Sequence, residues 1–483
     1  MKKVFFLIAT ILLMHTVKTH SQLQFIDDLF INYSKYKVEQ IQQRRFEAKT
    51  YFQIIDSLVA AGGEMILKTK LGKSFKGFPI SLYKIGNGKI KVLLWSQMHG
   101  DEATASQAIL DIFNFFIQHK NCTDKECESI LDQCTLLFIP LLNPDGMRKF
   151  ERRNFQEIDI NRDALRLQTP EGKILKQVQN DYKPDFGFNL HDQLTTYSVG
   201  KTRKPASISL LAPAFNHEKD IDDIRQRAIQ MCVLIRETIQ KYYPGFVARY
   251  DDEFEPRAFG DNIQAWGTST ILIESGGYFN DPEKQEVRKM NFIALMNAFN
   301  SIANRSYASL HNEEYFNIPE NDKLLFHLLI KNCSVQKENH TYTIDLGINY
   351  SERLDSTRNK YIEKYEVVDL GDLSTYASYD TIDVKGLKIN IGNVYPEIVT
   401  SFEKLKKIDY ETLWAEGFTT LIYQGDKFFE EELNVTLRQM ISTIKEPLRE
   451  SQKLLGHSAN FYFTDEMGII KKVISNGQLV FEQ

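Results

Sequence analysis

A chain of 483 residues is too long for one ordinary core, so two domains are expected. Its composition, 42% hydrophobic, 25% charged and 12% aromatic, is globular and excludes a disordered or collagen-like chain. A net charge of −5 argues against a general nucleic-acid binder.

At the N-terminus, Lys2 and Lys3 precede the apolar run Val4–Met14. That run is too short to span a bilayer and suits a signal peptide over residues 1–21, cleaved after Ser21. An uncleaved membrane anchor is the rival reading. Cleavage leaves an acidic mature protein in an extracytoplasmic place, periplasmic or secreted, with no stable membrane insertion. Of the five cysteines, Cys122, Cys127 and Cys134 are close enough for one local disulfide in an oxidising compartment. None has the CxxC spacing of a structural zinc site.

Residues 22–60 read as a helical, polar segment packed on the surface of the domain that begins after it. From residue 61, strands and helices alternate. "KIKVLLWS" is a buried strand and "ATASQAILDIFNFFIQH" an amphipathic helix. "CTLLFIPLLNPDG", "DFGFNLHDQ", "ISLLAP" and "GTSTILIESGG" are further strands, interleaved with "DIDDIRQRAIQMCVLIRETIQKYY" and "EKQEVRKMNFIALMNAFNSIA" as helices. This rhythm predicts an α/β layer on a largely parallel sheet through residue 304. From residue 305 to 483, short strands punctuated by Gly, Asn and Asp predict a smaller β-rich domain.

In an open α/β sheet, chemistry gathers where strands end. Four polar clusters come directly after strands here: "MHGDEA", "NPDG", "HDQ" and "ES". His99 and Glu102, three apart in a strand–helix turn, can reach one metal ion, and strand-end His191 can supply a third ligand. Taken alone, "HGDE" reads equally as a helix start whose acids favour the helix dipole. Glu274 ends the apolar strand "STILIES", where burial should raise its pKa and suit it to act as a base. Arg152, Arg153 and Arg162 suit capture of a carboxylate or an oxyanion, or else form a solvated basic face.

In that order and at these distances, "HGDE", "NPDG", "RRNFQEIDINR", "LHDQ" and "ILIESGG" resemble the zinc carboxypeptidases of the carboxypeptidase A type, peptidase family M14. The resemblance covers roughly Gly72–Ala303 and marks 61–304 as the carboxypeptidase domain. It implies a three-layer α/β/α sandwich on a mixed, mostly parallel sheet of eight strands. It also implies one zinc ion held by His99, Glu102 and His191, with Glu274 as general base for a zinc-activated water. Arg152 aligns best with the family's carbonyl-polarising arginine, ahead of Arg153. Asn161 and Arg162 match the pair that clamps a substrate's C-terminal carboxylate, and Asp159 would fix the tautomer of His99. Asp101 is left as a turn residue. Peptide or protein C-termini are the implied substrates.

The family's mobile tyrosine has no secure counterpart; Tyr250 and Tyr278 are the candidates. Phe259, Asp261 and Trp266 fall where the side-chain pocket should lie. The final segment "SANFYFTDEMGIIKKVISNGQLVFEQ" is similar to the closing strands of the small β-sandwich domain of amidohydrolases, without their metal ligands. That segment reads as a structural module, for contact with substrate or envelope. Rival functions are a zinc hydrolase of cell-wall peptides, an aspartoacylase-like deacylase, and a non-catalytic binding module on the same fold.

Overall fold

The computed structural model describes residues 24–119, 125–355, 360–425, 440–442 and 453–483. The predicted signal segment and Cys122 lie outside them. The chain divides into two compact units between Lys323 and Leu324.

The first unit is built on an eight-stranded sheet. Its strands are β1 (Leu67–Lys73), β2 (Pro79–Ile85), β3 (Ile90–Ser96), β4 (Cys134–Ile139), β5 (Phe186–Asp192), β7 (Ile208–Leu211), β8 (Val247–Arg249) and β9 (Ser269–Ser275), with the short β6 (Ser198–Val199) standing apart. They lie in the order β1-β2-β4-β3-β5-β9-β7-β8. The centre of the sheet, β4-β3-β5-β9, is parallel throughout, while β1, β2 and β7 introduce antiparallel pairings. The sheet is therefore mixed and mostly parallel, as expected.

Alternation within β3 shows why both faces must be covered. Val92 and Leu94 join Ile109 and Phe113 of the helix Thr104–Gln118 and Ile293 and Phe299 of the helix Gln285–Asn304. Leu93 and Trp95 point the other way, into a cluster with Leu175, Val178, Phe259 and Ile263. Helices on both faces make the three layers.

Two expectations about boundaries are corrected. The N-terminal helical segment does not merely lie on the surface. Its helix over 24–36 buries Phe25, Ile26, Leu29 and Tyr33 in the main core, and the helix Ala48–Gly62 adds Tyr51 and Ile55. Residues 305–323 do not open the β-rich domain either. Tyr307, Tyr315 and Ile318 are buried in the core of the first unit, Tyr315 Oη accepts a 3.1 Å hydrogen bond from the Ala212 amide, and β10 (Asn321–Asp322) pairs with β6. Short apolar positions without clear periodicity hid that attachment from a reading of the sequence alone.

The second unit is β-rich, as expected. Long antiparallel strands, Leu325–Lys337, His340–Asp355 and Lys360–Gly371, carry the sheet on through Lys388–Ile391, Phe461–Thr464, Ile470–Ser475 and Gln478–Glu482. Leu328, Ile330, Phe461 and Phe463 are among its core residues. Cys134 is buried and free, so no disulfide joins it to Cys127. Among the described residues, no helix is long and apolar enough to cross a membrane.

Candidate metal and catalytic centre

Three neighbouring parallel strands, β3, β5 and β9, deliver the candidate groups to one edge of the sheet. The turn after β3 is held firmly. Gln97 adopts a left-handed φ of 50° and its side-chain amide donates to the Gly100 carbonyl at 3.0 Å. The NPDG loop braces this turn from beside it. The Asn143 backbone N–H donates to the Gln97 carbonyl at 3.0 Å, and its side chain donates to the Met98 carbonyl at 3.1 Å. A Cβ on Gly100 would fall 2.0 Å from the Gly146 carbonyl carbon, so the "HG" step needs glycine for backbone to pass backbone.

That turn places His99 and Glu102 against His191, the sixth residue of β5. His99 Nδ1 lies 2.7 Å from Glu102 Oε1, and His191 Nδ1 lies 2.7 Å from Glu102 Oε2. The two Nδ1 atoms are 3.2 Å apart. One ligand atom from each of the three side chains lies within 4.8 Å of the others, and all three residues are buried. Zinc–nitrogen bonds of about 2.1 Å in tetrahedral array set neighbouring ligand atoms roughly 3.4 Å apart. Two imidazoles and a carboxylate at these separations fit zinc in both chemistry and spacing.

His99 Nε2 meets Asp159 Oδ1 at 3.0 Å. With Nε2 donating its proton to that carboxylate, Nδ1 is left bare for the shared centre. Arg152 leans over the same groups. Its Nη1 is 3.2 Å from Glu102 Oε1 and 3.0 Å from His99 Nδ1, while its Nε donates to Asp159 Oδ2 at 3.2 Å. Nearly half of the Arg152 side chain faces solvent, which leaves it able to meet a ligand. Arg153 instead donates to the Glu157 carbonyl and is not drawn into the centre.

Glu274 is the register partner of His191 across β5 and β9, so both side chains leave the same face of the sheet side by side. Glu274 Oε2 is buried without a hydrogen-bond partner.

The electrostatics divide the acids into two kinds. Burial, reinforced by the nearby Glu102 charge, pushes the Glu274 carboxyl well above the usual range. Burial also acts on Glu102, but His99 and His191 overcome it and hold that carboxyl well below the usual range. Asp159 is likewise held low against its burial, by His99 and Arg152. Burial opposes charge on both histidines. At His99, Glu102 and Asp159 prevail and push the imidazole up to about 9, whereas at His191 burial wins and the imidazole is held down. One carboxylate poised to take a proton beside one that stays charged is the pattern that acid–base chemistry uses.

Asn161 and Arg162 sit in a single 3-10 turn, Ile160–Arg162, capped by Asp159, whose Oδ1 accepts from the Asn161 backbone N–H. The Asn161 amide oxygen accepts from the Phe259 backbone N–H at 2.9 Å, so its amino group is the half that can donate outward. Arg162 Nε pairs with Glu255 Oε2 at 3.2 Å, and Glu255 is also gripped by both arms of Arg257. Nothing in the sequence singles out Glu255 except that it is an acid two residues before an arginine.

The uncertain positions separate. Tyr250 comes just after β8 and lies within electrostatic reach of Glu274, Tyr197, Glu102 and Arg152; burial, then the Glu274 charge, raises its phenol. Tyr278 instead packs on Tyr243 and Phe246 away from these groups. Phe259 is a fully buried core residue and Trp266 carries the Lys176 ammonium over its ring. Asp261 is buried, accepts from the Glu255 backbone N–H, and is pushed up to about 7 by burial. A further pair went unforeseen. Buried Lys284 donates to Asp192 Oδ2 and to the Ser275 carbonyl, the residues just after His191 and Glu274.

Two buried imidazoles and a carboxylate within reach of one another can hold one metal ion. Residues 51–213, about a third of the chain, match the family model described as zinc carboxypeptidase. The match takes in His99, Glu102, His191, Arg152, Asp159, Asn161 and Arg162, whereas the place of Glu274 rests on its register with His191. Among curated relatives, a probable carboxypeptidase 2 of Arthroderma benhamiae is 25% identical over 117 residues, 24% of this chain and 21% of that protein. Carboxypeptidase SOL1 of Arabidopsis thaliana is 28% identical over 137 residues, 25% of this chain and 28% of that one. The chain thus spans only 21% and 28% of the length of these two relatives. A metallo-carboxypeptidase structure from Burkholderia cenocepacia aligns over 54% of this chain and 70% of its own, at 16% identity and a TM-score of 0.44.

Proposed function

We propose that this chain is a zinc metallocarboxypeptidase that hydrolyses the C-terminal peptide bond of peptides and proteins outside the cytoplasm. The observation that carries this reading is the convergence of His99, Glu102 and His191 with Glu274 in register beside His191. His99, Glu102 and His191 would hold a zinc ion, which would supply Lewis acidity to a carbonyl and to a water. Glu274, disposed by burial to accept a proton, takes one from the attacking water and passes it to the leaving amine. Arg152, partly open to solvent, stabilises the negative charge that develops on the scissile oxygen. Asp159 holds His99 with Nδ1 bare. Arg162 exchanges Glu255 for the substrate's terminal carboxylate while the Asn161 amide donates to it. Tyr250, within electrostatic reach of Glu274 and Arg152, is the candidate to offer its hydroxyl to the same substrate.

The adjacent Asn161 and Arg162 support a substrate with a free carboxylate beside the scissile bond over a cell-wall peptide lacking one. The lysine-flanked run Val4–Met14 supports export. The deciding experiment is zinc analysis of the purified protein, combined with turnover of one peptide as its free acid and as its C-terminal amide. Stoichiometric zinc and preference for the acid are expected; equal turnover of the two removes exopeptidase action.

A further inference from the structure

Next to the centre lies an exposed aromatic pair that has no part in the hydrolytic chemistry. Phe75, in the turn between β1 and β2, and Phe155, in the loop after Arg152, stack with ring centroids 5.7 Å apart and planes 17° from parallel. Both remain open to solvent, at 53% and 41% exposure, although apolar rings of this size usually hide. Lys76 Nζ sits 4.4 Å over the Phe155 ring and Lys149 Nζ 5.7 Å from it. Arg148 covers neighbouring Phe78.

The pair is held from beneath by two buried carboxylates with no catalytic task. Glu171, fully buried, accepts from the Phe75 backbone N–H at 3.3 Å through one oxygen and from the Asn154 side-chain amide at 3.2 Å through the other. It ties the two loops together just where each presents its phenylalanine. Asp145, from the NPDG loop, accepts from Ser74 Oγ at 2.7 Å and from the Lys76 backbone N–H at 3.1 Å. Burying two carboxylates to hold one turn and tie it to a second loop is unfavourable unless their geometry matters. A surface fixed in advance loses little entropy when something binds it.

We propose that this platform is a docking site for an acidic stretch of polypeptide upstream of the bond to be cut. Phe155 is three residues from Arg152, so at most about 10 Å of chain separates the platform from the residue over the metal ligands. A substrate backbone leaving the centre on this side crosses the stacked rings. At the surface the exposed cations Lys76, Arg148, Lys149 and Arg153 outnumber the exposed acids Glu157 and Glu151, the latter 3.8 Å from Lys149, on a chain whose net charge is −5. Side chains of the substrate lie on the rings while its carboxylates meet the ammonium groups.

The identity of the occupant rests on the carboxypeptidase reading; the test of the platform does not. A fluorescent Glu- and Asp-rich decapeptide with an amidated C-terminus is titrated into the full chain beside a neutral analogue, and turnover of a short blocked dipeptide is followed separately. The acidic peptide is expected to bind at least tenfold more tightly at low salt and to lose that advantage as salt rises. The paired change Lys76→Glu with Lys149→Glu is expected to abolish the preference, and Phe155→Ala to weaken binding of both decapeptides, with dipeptide turnover unchanged in each. Equal binding of the two peptides overturns the proposal. So does binding of anionic vesicles or a sulfated glycan at the same patch without binding of the acidic peptide. Dipeptide turnover that is absent while acidic-peptide binding persists overturns the peptidase reading and leaves the platform standing.

Discussion

His191 and Glu274 are register partners, each the sixth residue of its strand, on the adjacent parallel strands β5 and β9. A candidate metal ligand and a candidate base are thereby held side by side by ladder hydrogen bonds and not by a loop. Replacing Glu274 by Gln keeps the shape and removes the proton acceptor. Hydrolysis of a C-terminally free peptide is expected to fall by about 10²–10⁴-fold in kcat, with zinc content unchanged. Full activity in Glu274→Gln would remove the general-base role.

In the proposed centre Asp159 would act on a bound zinc ion through His99. Its carboxylate meets His99 Nε2 at 3.0 Å and also receives Arg152. Asp159→Asn keeps a hydrogen-bond acceptor but removes the charge that favours a bare Nδ1. Zinc affinity is expected to drop by about 10–100-fold, measured by competition with a chelator. An unchanged affinity would reduce Asp159 to a cap of the Ile160–Arg162 turn.

The clamp makes a different prediction, because Arg162 already holds a carboxylate. Arg162→Met is expected to raise KM for free-acid peptides by about 10–100-fold, the value of a lost charged hydrogen bond, with kcat much less affected. Glu255→Gln loosens the resident partner and is expected to lower KM. If Glu255→Gln raised KM instead, Glu255 would be orienting Arg162 and not competing for it.

How much of this was legible in the sequence depends on how local each signal is. His99 and Glu102 share one turn, and His191 and Glu274 each end an apolar strand, so their proximity results from the parallel order of the strands. Asp159, Asn161 and Arg162 lie in a single short stretch and could be read together. Residues tied by long-range contacts could not. Glu171 meets Phe75 and Asn154 only after folding, and Lys284 reaches Asp192 across the end of a helix. Tyr250 and Tyr278 both offered a phenol at a plausible distance from Glu274, and only packing told them apart. The attachment of residues 305–323 was hidden for the same reason. Its signs are the burial of Tyr315 and a two-residue strand, which carry almost no periodicity.

Asp261 predicts a pH dependence of stability. Burial raises its carboxyl to about 7 in the folded chain from the ordinary value of 3.8, with the Glu255 charge adding to the effect. A raised folded-state pKa means that the folded protein holds a proton the unfolded chain has released. Its contribution is therefore fully present below about pH 4 and is lost as pH rises through 7, a change on the order of 2–4 kcal/mol. Asp261→Asn keeps the acceptor for the Glu255 backbone N–H and cannot ionise. Between pH 5 and 8 the melting temperature of the wild type is expected to fall relative to that of the variant. Parallel curves would remove the buried-carboxyl explanation.

The pairing of Arg288 with Asp111 bears on what the N-terminal segment is. Both side chains are completely buried and ion-paired, and around them gather groups from residues 33–41. Tyr33 Oη and the Val38 backbone N–H donate to Asp111, while Arg288 donates to the Ile41 and Val38 carbonyls. The segment that reads as a polar surface helix thus completes the hydrogen bonding of a charge pair inside the first unit. Removing one partner of such a pair leaves a buried charge without compensation, which costs about 3–5 kcal/mol. Arg288→Met is expected to lower stability by that amount in urea denaturation, whereas Arg288→Met with Asp111→Leu should recover much of it, because no charge is then stranded. Deleting residues 22–41 should destabilise as strongly as the single change, since it takes away the carbonyls that Arg288 needs and the donors that Asp111 needs. A deletion variant with wild-type stability would show instead that the segment is a detachable covering.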